Sequence, residues 1–77
     1  MVNEIIKVVI TDIVTFGAFC TTNINDVQYK GLIHISEISN DYVNDIRDYL
    51  SPGQEVNAMI LSIDDDKKQL SLSIKKA

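Results

Sequence analysis

The sequence predicts an all-β domain: five short antiparallel strands closed into a Greek-key barrel, with a short helical segment between the third and fourth strands. Three observations carry this expectation. Runs rich in Ile and Val alternate with short stretches of Asn, Asp and Gly, the pattern of strands and turns. One stretch alone, 39–53, changes to helical spacing. Finally, 77 residues is close to the size at which one core only just offsets chain entropy. A closed barrel, which leaves no sheet edge exposed, suits such a chain.

The first strand is read in EIIKVVITDIV (4–14), dense in β-branched residues. Its apolar positions do not hold a period of two, which predicts a bulge or a coiled strand that changes faces. After a bend at Asp12–Thr15, TFGAFCT (15–21) gives a second strand, and the Asn and Asp of TNINDV (22–27) predict a loop. In QYKGLIHIS (28–36), the third strand, Leu32 and His34 share one face and Ile33 and Ile35 the other. Over 39–53, Ser39 or Asn40 caps a helix with Asp41 at its positive end. Val43, Ile46 and Leu50 then recur at helical spacing, flanked by Tyr42 and Tyr49, until Ser51, Pro52 and Gly53 stop it. In QEVNAMILSID (54–64) Val56, Ala58 and Ile60 alternate as a fourth strand. DDKK (65–68) turns, and QLSLSIK (69–75) sends Leu70, Leu72 and Ile74 inward as a fifth. This order is that of the OB-fold.

Bulk properties restrict the function. A net charge of −4, from seven bases and eleven acids, argues against a strong nucleic-acid binder, but the charge is unevenly spread. Eight acids and one base, Arg47, lie between Glu37 and Asp66, whereas four of the seven bases fall in the last eleven residues. No apolar run approaches the roughly 20 residues of a membrane helix, and the N-terminal residues lack a secretory pattern. Cys20 has no second cysteine to pair with, and His34 is the single histidine, so there is no zinc set. The expectation is one cytoplasmic, monomeric domain over 1–77, without membrane contact or cofactor.

Catalysis finds no support either: there is no nucleophile triad spacing, no metal set and no Gly-rich phosphate loop, and Gly17, Gly31 and Gly53 are scattered. The run Asp64-Asp65-Asp66 does not make a calcium loop, because the sixth and twelfth positions from Asp64 hold Gln69 and Lys75 rather than Gly and Glu. A solvated hairpin turn is the expectation there, which places Lys67 and Lys68 where they can meet phosphates.

The aromatic pair Phe16 and Phe19 is the strongest candidate site. Such rings are commonly core, but Ala18 and Cys20 are small residues sharing one strand face. If those two fill the barrel, Phe19 points outward. Gly17 then supplies the backbone freedom to bring Phe16 to the same surface. Exposed flat rings suit nucleobases, each stack contributing about 1–3 kcal/mol. His34, on the neighbouring third strand, falls near Phe19 as a further stacking or hydrogen-bonding group.

In order, FGAF (16–19), GLIHISEIS (31–39), PGQEV (52–56) and LSLSIK (70–75) resemble the S1 RNA-binding domain over nearly the whole chain. That resemblance implies an OB-fold binding single-stranded RNA, with an RNA face matching Phe16, Phe19, His34 and Asp64 and a basic residue entering the fifth strand. The usual arginine position falls on Gln69, with Lys68 one residue earlier. The strand 2–3 loop, Thr21 to Lys30, is longer than the common form. DYVNDIRDYLSPGQEV resembles the small bacterial stand-alone type, described as general stress proteins associated with ribosomes. The family also supplies modules to larger ribosomal and RNA-processing chains. The expected function is a non-catalytic module for single-stranded RNA, partnered by a ribosome or RNA-processing complex. The alternatives are a protein-interaction module docking on such a complex and the RNA-binding part of a larger exoribonuclease.

Overall fold

The computed structural model describes residues 2–39 and 45–77. Its five strands are β1 (Ile5–Val14), β2 (Gly17–Ile24), β3 (Val27–His34), β4 (Glu55–Asp64) and β5 (Gln69–Ser73). They close into a barrel in the order β1-β2-β3-β5-β4, the five-stranded OB-fold arrangement. Four neighbouring pairs are antiparallel, while β3 and β5 run parallel. The wholly antiparallel expectation therefore gives way at one seam, for a geometric reason. Directions cannot alternate all the way round a closed ring of five, so at least one pair must be parallel.

Alternation along each strand sends Val8, Ile10, Ala18, Cys20, Ile33, Ala58, Ile60, Leu70 and Leu72 into one core. Two bulges adjust the phase. The register of β1 on β2 steps from Ile10↔Cys20 to Asp12↔Phe19, so Thr11 is the extra residue, and its hydroxyl donates to the Phe19 carbonyl at 3.2 Å. A second bulge separates Ile60↔Leu72 from Ser62↔Ser71. The broken period in 4–14 is the sequence trace of the first. Gly31 sits where the core is tightest: a Cβ there would stand 2.6 Å from Leu72 Cδ1 and 2.7 Å from Cys20 Sγ.

Three connections differ from the sequence reading. The expected loop at 22–27 is strand on both sides of a two-residue turn, with Ile24 paired to Val27. Asn25 and Asp26 carry φ of 51° and 65°, the type I′ geometry that matches the twist of a hairpin. Only these two residues needed turn chemistry, and the β-branched Thr22, Ile24 and Val27 around them prefer strand. The bend placed at Asp12–Thr15 likewise resolves into the bulge at Thr11 and a turn at Thr15–Phe16, since Val14 pairs with Gly17. Between β3 and β4 the described residues form two short 3-10 turns, Ile35–Glu37 and Ile46–Asp48, not one helix over 39–53. Ile38, Ile46 and Leu50 from this connection are buried against the barrel. The capping residues Asn40 and Asp41, together with Tyr42 and Val43, lie outside the described residues.

Candidate nucleic-acid interface

Pairing across β2, β3, β5 and β4 lays the outward side chains in rows. One row runs Phe19, Leu32, Ser71, Ser62. The next, one pleat further along, runs Thr21, Lys30, Gln69, Asp64. At about 4.8 Å between strands, four strands span roughly 14 Å. Over this surface lies an open groove of about 410 Å³, walled by Phe19 on one side and by Ser62 and Asp64 on the other, with Lys30, Leu32 and Gln69 between.

The aromatic end of the face is built by the β1–β2 turn. Phe16 and Phe19 are 48% and 38% exposed, so both rings face solvent, as the sequence led us to expect. They pack edge to face, centroids 6.2 Å apart and planes at 90°. Gly17 makes this possible, but not through an unusual φ. A Cβ on Gly17 would collide with the Ile33 carbonyl oxygen, so glycine is needed for close approach of β2 to β3. Phe16 is further tied in through its carbonyl, which accepts from Ile35 N at 2.9 Å.

His34 is exposed and stands opposite Gly17, beside the turn that carries Phe16. Its Nδ1 accepts the Ser36 N–H at 3.2 Å and lies 2.8 Å from Ser36 Oγ, capping the first 3-10 turn. In the neutral ring, that bond leaves Nε2 as the protonated nitrogen and hence a donor.

The opposite end is made by the β4–β5 turn. Asp64 Oδ1 accepts the Lys67 N–H at 3.2 Å, closing the turn, so part of this carboxylate is already engaged. Lys68 adopts φ 54° and holds its ammonium 5.6 Å over the ring of Tyr29. Tyr29 is buried at the end of the barrel, and its hydroxyl donates to Asp65 Oδ1 at 3.0 Å. That bond, with burial and the Asp65 charge, raises the tyrosine above its ordinary value.

The structure thus separates the six expected site residues into two groups. Phe16, Phe19 and His34 gather at one end, Asp64, Lys67 and Lys68 at the other, and the groove runs between Phe19 and Asp64, the two of the six that line it. Lys30 had not been singled out from the sequence. Its signal was present, since Lys30, Leu32 and His34 share one parity of the third strand. Gln69 fills the centre of the second row.

Charge on this face is balanced. Lys7, Lys75 and Lys76 are taken up in ion pairs with Glu55 and Glu37, whereas Lys30, Lys67 and Lys68 have no such partner among the described residues. Against these three bases stand three acids at the end of β4 and in the turn that follows it, Asp64 to Asp66. Aromatic faces and the groove, more than net charge, distinguish this surface. Among the described residues no group of three or more His, Cys, Asp or Glu could hold a metal ion, and no helix is long and apolar enough to cross a membrane.

Comparison with known proteins agrees with the barrel fold. General stress protein 13 of Bacillus subtilis is 39% identical over 66 residues, covering 86% of this chain and 48% of that protein. Its solution structure superposes with a TM-score of 0.85 at 36% identity, covering 97% of this chain and 55% of that one. The small ribosomal subunit protein bS1 of Staphylococcus aureus is 40% identical over 73 residues, 95% of this chain and 18% of its own. A chain in the crystal structure of an a/eIF2alpha–aDim2p–rRNA complex from Pyrococcus horikoshii matches with a TM-score of 0.84 at 28% identity, covering 99% of this chain and 45% of that one. The chain thus spans about half or less of these relatives. The family model for the S1 RNA binding domain matches residues 1–75, and with that match the chain belongs to the S1 RNA-binding domain family.

Proposed function

We propose that this chain is a non-catalytic, monomeric, cytoplasmic module that binds single-stranded RNA across β2, β3 and β5. Bases stack on Phe16, Phe19 and His34, the groove takes the following nucleotide, and Lys30, Lys67 and Lys68 meet phosphates at the far end. Asp64 accepts from an exocyclic amine or orients a neighbouring base. The observation that carries the reading is the exposed, edge-to-face phenylalanine pair, of which Phe19 lines the groove, in a domain where most other described apolar side chains are at least partly covered. A ribosome or an RNA-processing assembly is the setting in which such a module would act, in keeping with its bS1 and general stress protein relatives.

The test is a titration with a fluorescent, unstructured RNA oligonucleotide at low and moderate salt. Phe19→Ala should weaken binding about tenfold or more, the weight of one base stack. Phe19→Ala combined with His34→Ala should weaken it further, while circular dichroism stays that of the folded domain. Unchanged affinity in the folded double variant overturns the assignment. Tyr49, 43% exposed beside the acidic connection, motivates the rival reading as a protein-docking module. Absence of RNA binding by the wild type even at low salt, where counterion release most favours it, would select that rival.

A further inference from the structure

The β4–β5 turn, residues 65–68, follows Asp64 and carries Lys67 and Lys68, yet its four side chains are exposed and it has no apolar anchor of its own. Beyond the Asp64–Lys67 bond that closes it, what fixes it lies on another strand. The Tyr29 hydroxyl, from β3, holds Asp65 at 3.0 Å; its ring lies under the Lys68 ammonium at 5.6 Å; and Lys30 N donates to the Lys68 carbonyl at 2.9 Å. Tyr29 is 7% exposed, so the brace springs from the packed end of the barrel. The turn is thus held at both flanks, through Asp65 near its start and Lys68 at its end.

We infer that Tyr29, which touches no part of the groove, is a positioning residue for RNA: it fixes the Asp64–Lys68 turn so that its charged groups stand at the end of the groove before RNA arrives. This rests on the RNA-binding reading above. A turn already ordered loses less conformational freedom on binding, so its lysines contribute more to affinity than free surface lysines would. The same brace keeps Asp65 directed to the tyrosine, and so keeps one carboxylate of the acidic run occupied away from phosphate.

Two pairs of variants separate positioning from charge and from folding. Tyr29→Phe keeps the ring that fills the barrel end and underlies Lys68, and removes only the hydroxyl. Asp65→Asn and Asp65→Ala both remove the negative charge, but only asparagine keeps an acceptor for Tyr29. In RNA titrations over several salt concentrations, Tyr29→Phe should bind about fivefold more weakly than wild type, the weight of one hydrogen bond. Its slope of log affinity on log salt should be shallower by about 0.7, the share of a single phosphate neutralised by one lysine. Asp65→Asn should bind at least as well as wild type, and Asp65→Ala about fivefold more weakly than Asp65→Asn. Amide shifts on RNA addition at residues 64–68 should shrink in Tyr29→Phe and Asp65→Ala alone. A purely structural tyrosine would lower thermal stability without moving the salt slope or separating the two Asp65 variants, and that result overturns the assignment. A wild type that binds no RNA overturns the RNA reading itself, and this inference with it; a wild type that binds while Tyr29→Phe matches it overturns the positioning role alone.

Discussion

Phe16 and Phe19 pack edge to face, with ring planes at 90° and centroids 6.2 Å apart. Only Phe19 also lines the groove. The two rings are therefore unequal in place, and on the RNA-binding reading proposed above Phe19, the ring at the groove, would carry the larger share of base stacking. Phe16→Ala should weaken RNA binding less than Phe19→Ala, by about threefold against tenfold or more, in the same fluorescence titration. Equal losses would show that the place of Phe19 at the groove adds nothing to its stacking.

Lys30 reaches the groove from the centre of β3 and is free of ion pairs among the described residues. Lys30→Gln should leave the denaturation midpoint unchanged, because the side chain is exposed, and reduce the salt slope of RNA binding by about 0.7.

The glycines of β2 and β3 differ in what crowds them. A methyl on Gly17 meets the Ile33 backbone carbonyl, which cannot move without parting the strands, whereas one on Gly31 meets the side chains of Leu72 and Cys20. Gly31→Ala should cost about 1–2 kcal/mol and Gly17→Ala more, about 3 kcal/mol, in urea unfolding. Adding Cys20→Ala to Gly31→Ala should recover part of the loss, because it removes the sulfur 2.7 Å away.

Asn25 and Asp26 both occupy the left-handed region. The type I′ turn favours glycine at its second position, so Asp26→Gly should stabilise the hairpin by about 0.5 kcal/mol. Asp26→Val, which sets a β-branched side chain at positive φ, should destabilise it by about 1–2 kcal/mol. Thermal melts of the two variants on either side of wild type would check this.

Burial pushes the Cys20 thiol from 9.0 up to about 12, with a backbone hydrogen bond from Gly31 working weakly the other way. The folded value lies above the unfolded one, so the stability this group contributes is complete below about pH 9 and is lost as pH rises toward 12. Tyr29 acts in the same direction at higher pH. Urea midpoints should therefore fall between pH 9 and 11 less steeply in Cys20→Ala than in wild type. A thiol reagent near neutral pH should modify Cys20 only once denaturant opens the barrel.

Much of the barrel could be read from local pattern. Ala18 and Cys20 inward with Phe19 outward follows from parity, and the disturbed period of 4–14 announced the Thr11 bulge. The two turns were harder: Asn25 and Asp26 looked like part of a longer polar loop because threonine and asparagine serve strands and turns alike. The exposed placement of Phe16, Phe19 and His34 was legible, because it depends on one strand or on a familiar motif. The site was not legible where two distant strands meet. Nothing near Tyr29 in the sequence announces Asp65 or Lys68, and Lys30 becomes a groove residue only because β5 lies alongside β3.

The parallel seam between β3 and β5 has a consequence for assembly. The β1–β2–β3 meander and the β4–β5 hairpin are each local in the chain, whereas joining Gly31 and Leu32 to Leu70 and Ser71 closes a long loop. Long-range pairing of this kind carries its entropy cost before its reward, and so is slow. The groove lies across that seam. A partly assembled chain with both local units formed would already display Phe16 and Phe19, but with no floor beside them for a nucleotide. On the RNA-binding reading proposed above, the capacity to hold RNA would then be complete only once β5 has docked on β3, and retention of an RNA strand would report finished folding.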